Sequence, residues 1–160
     1  MNPYSAQILS YFDALTMDSD RGGVHDYKSL LRSTVSAFLD RPDKERAFEV
    51  YSMFFDCYRV KLQGSASFID LLDTLKSYEE NAATLLDKQR DHYVHSVNVF
   101  LLGLAVYAVN PRYREVFRTA SYEAVPYAGR RSTPGEEFLF QWGVAALFHD
   151  LGYPVEITSN

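Results

Sequence analysis

Apolar residues recur at spacings of three and four along nearly the whole chain, and no stretch sustains the alternation of a strand. Ile8, Phe12 and Leu15 line one face of a first helix, with Asn2 as its expected cap and Pro3 as its first residue. Arg21-Gly22-Gly23 breaks it. A second helix is predicted from near Asp26, with Tyr27, Leu30, Leu31, Thr34 and Phe38 on one side. Arg41-Pro42-Asp43 separates it from a third. There Phe48, Tyr51, Phe54, Phe55, Tyr58 and Leu62 form the strongest amphipathic stripe of the chain. Gly64-Ser65 interrupts it. Phe68, Leu71, Leu72 and Leu75 then mark a further helical stretch, with helix resuming through Leu85 and Leu86.

From near Lys88 to Val109 the spacing predicts a long helix that turns apolar on all sides in its second half, the pattern of a central, buried element. Asn110-Pro111 ends it, because the residue before a proline avoids the helical region. Residues 112–132 carry mixed signals. The last helix opens on Thr133-Pro134-Gly135-Glu136, a capping box with proline at the first helical position. Phe138, Trp142, Ala145, Ala146 and His149 follow one face of it. The expectation is an all-α helical bundle, with an N-terminal helical segment or subdomain over 1–81 and a helical core over 82–160.

The chain has 160 residues, 47% hydrophobic and 23% charged, which suits one globular domain with a real core. With 12 Tyr and 11 Phe, the helices are expected to pack through rings, with Tyr hydroxyls at the rim. A formal charge of −5 argues against nucleic acid as a general partner. The single cysteine, Cys57, lies among apolar residues and reads as a buried, inert thiol. No basic-then-apolar leader opens the chain. Its longest apolar run, Val97 to Val109, is about 13 residues against the roughly 20 that a bilayer span needs. A cytoplasmic protein with no membrane partner is the expectation.

The chemistry concentrates in three places. His149 and Asp150 are adjacent at the close of an apolar helix, where Leu151-Gly152 lets the backbone turn away. Imidazole beside carboxylate suits a divalent ion: Mn, Fe, Co, Ni, Zn or Mg. A surface helix cap would use the same two residues. His92 and His95 lie three apart, on one face of the long helix. His25, beside Gly22-Gly23, reads as an exposed loop histidine. Between the motif helices, Arg112, Arg114, Arg118, Arg130 and Arg131 stand against Glu115 and Glu123. Arginine suits phosphate, and Tyr113, Tyr122 or Tyr127 could stack on a base, although a solvated loop explains the same residues.

His95-Ser96-Val97-Asn98-Val99 followed by Ala146-Leu147-Phe148-His149-Asp150-Leu151-Gly152 resembles the HD-domain superfamily of metal-dependent phosphohydrolases, over about residues 90–154. The resemblance implies a helical fold in which a His, a His-Asp pair and a later Asp hold one or two divalent metals that activate water against a phosphoester. His95, His149 and Asp150 match metal ligands of that family. His92 matches no ligand and is a candidate for contact with substrate phosphate or with a group behind the ligands, and Arg130 and Arg131 of the basic segment are candidates for substrate phosphate. Asp91 or Arg90 could orient an imidazole, although a solvated helix start explains them as well. The implied partner is a small phosphoester or a nucleotide. The chain departs from the family in one respect: ten residues follow Asp150, none is Asp, and Glu156 is their only carboxylate. A chain truncated at its C-terminus, binding metal weakly or not at all alone, is the corresponding expectation. The alternative is a non-catalytic helical regulatory module with a relic of the motif, its aromatic helices binding a partner or forming a homodimer.

Overall fold

The computed structural model describes residues 3–17, 25–59 and 92–150, together with Thr74 and Ser77. Six α-helices make up the described fold: α1 (Ser5–Ala14), α2 (Tyr27–Asp40), α3 (Lys44–Tyr58), α4 (His92–Val109), α5 (Pro111–Phe117) and α6 (Pro134–Phe148). A π turn over Arg118–Tyr122 and a 3-10 turn over Tyr127–Gly129 join α5 to α6. No strand occurs among the described residues, so the all-α expectation holds.

The caps decide where several helices begin. Asp26 accepts hydrogen bonds from Ser29 N (3.1 Å) and Ser29 Oγ (2.6 Å), and Asp43 accepts from Arg46 N (2.9 Å). Thr133 Oγ1 accepts from Glu136 N at 3.2 Å, as the capping box predicts. α1 starts at Ser5, later than Asn2-Pro3 suggested, with Pro3 and Tyr4 in the preceding turn. Asn110-Pro111 both ends α4 and starts α5: Asn110 Oδ1 accepts from Tyr113 N at 2.9 Å, with Pro111 at the first position. α3 closes on Arg59 in the left-handed region (φ 49°). Leu62, the stretch from Phe68 to Leu86 apart from Thr74 and Ser77, and the 81/82 boundary lie outside the described residues.

α4 is the central element, packed against α1, α3 and α6, while α2 closes the far side against α1 and α3. Its described span is His92–Val109, 18 residues, long and apolar enough by length and composition to cross a membrane, and the predicted start near Lys88 lies outside the described residues. Yet Tyr93, Val97, Phe100, Leu101, Leu104 and Ala105 are buried in the core. On α2 the buried face is Leu31, Val35, Phe38 and Leu39; Leu30 and Thr34 turn further outward than their spacing suggested, and Leu30 is exposed. On α6, Ala145 is exposed while Ala146 and Leu147 are buried. The α3 stripe is consumed inside: Tyr51, Phe54 and Phe55 are buried, and Cys57 is a buried free thiol. His25 is exposed.

Two glycines let the helices meet. A Cβ on Gly103 would fall 2.0 Å from Trp142 Nε1, and one on Gly143 would fall 2.3 Å from a ring carbon of Phe54. The indole therefore lies directly on the α4 backbone, and its Nε1–H donates to Phe100 O at 2.9 Å. Two tyrosine hydroxyls expected at the rim are instead internal braces. Tyr11 donates to Gly135 O (2.6 Å) at the start of α6, and Tyr51 donates to Leu147 O (2.7 Å) near its end. Burial pushes the Tyr11 hydroxyl well above its ordinary pKa.

Candidate metal centre

The C-terminal end of α6 is fixed before any ligand is considered. The last carbonyls of a helix lack partners within it. Tyr51 takes that of Leu147, from within the core. Nδ1 of His149 lies 2.7 Å from Ala146 O, one turn back. A carbonyl oxygen can only accept, so Nδ1 carries the proton and Nε2 presents its lone pair. This backbone anchor is the usual support of a metal-bound imidazole.

Nε2 of His149 faces Oδ2 of Asp150 at 3.5 Å. α4 crosses against α6 and brings Nε2 of His95 to the same oxygen at 3.7 Å. One donor atom from each of His95, His149 and Asp150 lies within 4.8 Å of the other two. The His95 and His149 rings stand 5.6 Å apart between centroids, tilted by 58°. Side-chain exposure is 28% for His95, 37% for His149 and 17% for Asp150, so the cluster sits in a shallow recess open on the His149 side.

The separations discriminate between two uses of such a cluster. An N–H···O hydrogen bond spans 2.7–3.2 Å, and none of these pairs reaches that range. A tetrahedral ion with bonds of roughly 2.0–2.2 Å sets its ligand atoms about 3.4 Å apart. The observed edges of 3.5 and 3.7 Å match the second spacing. The donor set of two imidazoles and one carboxylate suits a borderline divalent ion and leaves at least one position open. The residues present therefore fit a metal.

No family model matches the chain, and no curated protein or solved structure shows significant similarity to it. The HD-type resemblance rests on the motif residues of the sequence alone.

The remaining candidates divide. His92 lies beside the cluster on α4, its Nδ1 buried and 3.6 Å from Oδ2 of Asp150. Arg130 and Arg131 do not join it. They precede α6, whose 15 residues put about 22 Å of helix between them and His149. Arg130 lies over the Tyr122 and Tyr127 rings (4.7 and 5.4 Å to the centroids). Arg131 lies over Phe140 at 3.5 Å and donates its backbone N–H to Glu137 Oε2 at 2.7 Å. Two other arginines of that segment are also engaged. Arg114 donates to the carbonyls of Tyr107 (2.9 Å) and Ala108 (2.6 Å) at the end of α4, and Arg118 pairs with Glu115 and Glu123. Tyr113 packs edge-on against Tyr107 and Phe138. Asp91 and Arg90 lie outside the described residues.

Sequence reasoning missed the supports: Tyr51, the Ala146 carbonyl, and Gly103, which sets the α4–α6 crossing. Only the Ala146 carbonyl had a signal, since a side chain at a helix end reaches the carbonyl three residues back.

Proposed function

We propose that His95, His149 and Asp150 hold a divalent metal ion and that the chain belongs to a phosphohydrolase acting on a phosphoester or nucleotide. The observation that carries this reading is the anchoring of His149 Nδ1 on Ala146 O at 2.7 Å. It commits Nε2 to the point that His95 and Asp150 also face. A divalent ion supplies Lewis-acid polarisation of a phosphoryl group and activation of water. The protein's own part is to present two imidazoles and one carboxylate at ligand spacing, with the open side toward solvent. The motif order, His95-Ser96 and then His149-Asp150-Leu151-Gly152, supports the phosphohydrolase class over other uses of the same donors.

The test has two arms. Metal content of the purified chain is measured after dialysis against Mn, Co, Ni and Zn, for the parent and for His149→Ala and Asp150→Ala. Hydrolysis of p-nitrophenyl phosphate and of a nucleoside monophosphate is then measured with each ion. The expected result is one or more bound ions per parent chain, lost in both variants, with any hydrolysis requiring the ion. Binding without hydrolysis favours the regulatory module. Parent and variants alike free of metal would falsify the metal reading.

A further inference from the structure

His92 stands one turn before His95 on α4, on the same face of the helix. Its Nδ1 is buried and lies 3.6 Å from Oδ2 of Asp150. His92 and Asp150 are equally withdrawn from solvent, each side chain 17% exposed. Three imidazole nitrogens therefore surround one carboxylate oxygen at 3.5–3.7 Å. They are not equivalent. The compact donor group comprises His95, His149 and Asp150, and His92 falls outside it. A nitrogen that faces the carboxylate from outside the ligand group has the geometry of an orienting neighbour.

Asp150 needs one. It follows His149, the C-terminal cap of α6, so helix geometry no longer fixes its side-chain direction. Among the described residues its Oδ2 faces three imidazole nitrogens, at 3.5–3.7 Å. A carboxylate oxygen has two lone-pair directions, one for an ion and one for an N–H. Closing the 3.6 Å separation to a hydrogen bond of about 2.9 Å takes a shift of about 0.7 Å, within reach of a small side-chain rotation.

We propose that His92 is a positioning residue for Asp150: it donates Nδ1–H to Oδ2 and holds the carboxylate in the orientation that closes on the ion between His95 and His149. This inference rests on the metal reading above, and its test separates the two. Partners behind a metal ligand typically contribute 10–100-fold to affinity.

Co2+ and Zn2+ affinities of the whole chain are measured by competition with a chelating dye, along with the visible absorption of the Co2+ form. The proteins are the parent, His92→Ala, His92→Leu and His92→Asn. Asparagine places an amide N–H close to where Nδ1 sits, but its amide is a poor replacement for an imidazole ligand. The expected result is a 10–100-fold loss of affinity in His92→Ala and His92→Leu. His92→Asn should return to within a few-fold of the parent, and one ion with an unchanged Co2+ spectrum should bind throughout. His92→Leu fills the space, so the comparison survives if the alanine variant fails to fold. Alanine and leucine variants that bind as tightly as the parent overturn the positioning role and leave the metal reading intact. An asparagine variant as weak as alanine, with an altered Co2+ spectrum, makes His92 a ligand and overturns the role the other way. A parent that binds neither ion overturns the metal reading itself.

Discussion

Replacing Gly103 by alanine tests whether the α4–α6 crossing sets the site. The new Cβ would lie 2.0 Å from Trp142 Nε1, 2.2 Å from Cε2 and 2.7 Å from Cζ2, all distances that a real contact cannot keep. The indole must swing away or the helices must part by about 1.5 Å to restore van der Waals spacing near 3.5 Å. Overpacking of this kind costs about 1–3 kcal/mol. Swinging the indole also forfeits its bond to Phe100 O, worth about 1 kcal/mol. Against this, alanine is the better helix former by about 1 kcal/mol. The net expectation is a loss of about 1–3 kcal/mol. Urea unfolding followed by circular dichroism should show the midpoint falling by about 1 M at unchanged slope. Gly129→Ala, with nothing within 4 Å of the added carbon, should stay within about 0.5 kcal/mol of the parent. Parting the helices also widens the His95-to-Asp150 edge, so Co2+ affinity should fall with stability in Gly103→Ala alone. A Gly103→Ala chain as stable as the parent, or more stable, would refute the close crossing.

Tyr51→Phe leaves Leu147 O without its buried donor and should cost about 1–2 kcal/mol, read as a lower urea midpoint, with weaker metal binding because the end of α6 loosens. Asp26 and Asp43 titrate below the ordinary carboxylate value of 3.8, Asp26 chiefly through the Ser29 hydroxyl and Asp43 chiefly through the Arg46 backbone N–H. A depressed folded pKa gives stability that is present above the unfolded value and lost as pH falls through the folded one. The double variant Asp26→Asn/Asp43→Asn keeps both caps, since asparagine caps as well as aspartate, but cannot titrate. Its stability should fall less steeply than the parent's between about pH 5 and pH 2. Equal slopes in thermal unfolding across that range would remove the caps from the acid response.

The helices were legible because their periodicity and caps are local. Asp26 and Thr133 stand where helix starts were expected, and each accepts the backbone N–H three residues on, as does Asp43 at the end of the Arg41-Pro42-Asp43 break. The rotation of a helix about its axis was less legible. On α2, Leu30 and Leu31 are equally apolar, and only contact with α1 and α3 decides that Leu31 goes inside. At the site, His95, His149 and Asp150 were readable as ligand types, and the structure brings them to one point. Their supports were not readable, because Tyr51 and Gly103 lie on other helices and nothing in their own neighbourhoods marks them. Arg130 and Arg131 lie apart from the cluster for a related reason. Charge counting along the chain ignores that a 15-residue helix separates them from His149.

Whether the His-Asp cluster exists for metal or for stability can be decided on the metal-free protein with Asp150→Asn. Asparagine keeps the size of the side chain and removes the charge. If the carboxylate served stability, it would draw an imidazole N–H to 2.7–3.2 Å, yet the three ring nitrogens around it stand at 3.5–3.7 Å. Contacts that long, partly open to water, contribute at most about 1 kcal/mol, while withdrawing a carboxylate from water costs free energy of its own. The two effects oppose each other, so metal-free Asp150→Asn should unfold within about 1 kcal/mol of the metal-free parent. With metal the chains should separate. Free ion at 100 times the dissociation constant stabilises a binding chain by about 2.7 kcal/mol, a shift expected in the parent and absent from the variant. Thermal unfolding with and without Zn2+ measures both quantities. A metal-free variant weaker than the parent by more than about 2 kcal/mol, with no response of the parent to any divalent ion, would make the cluster a structural clasp between α4 and α6.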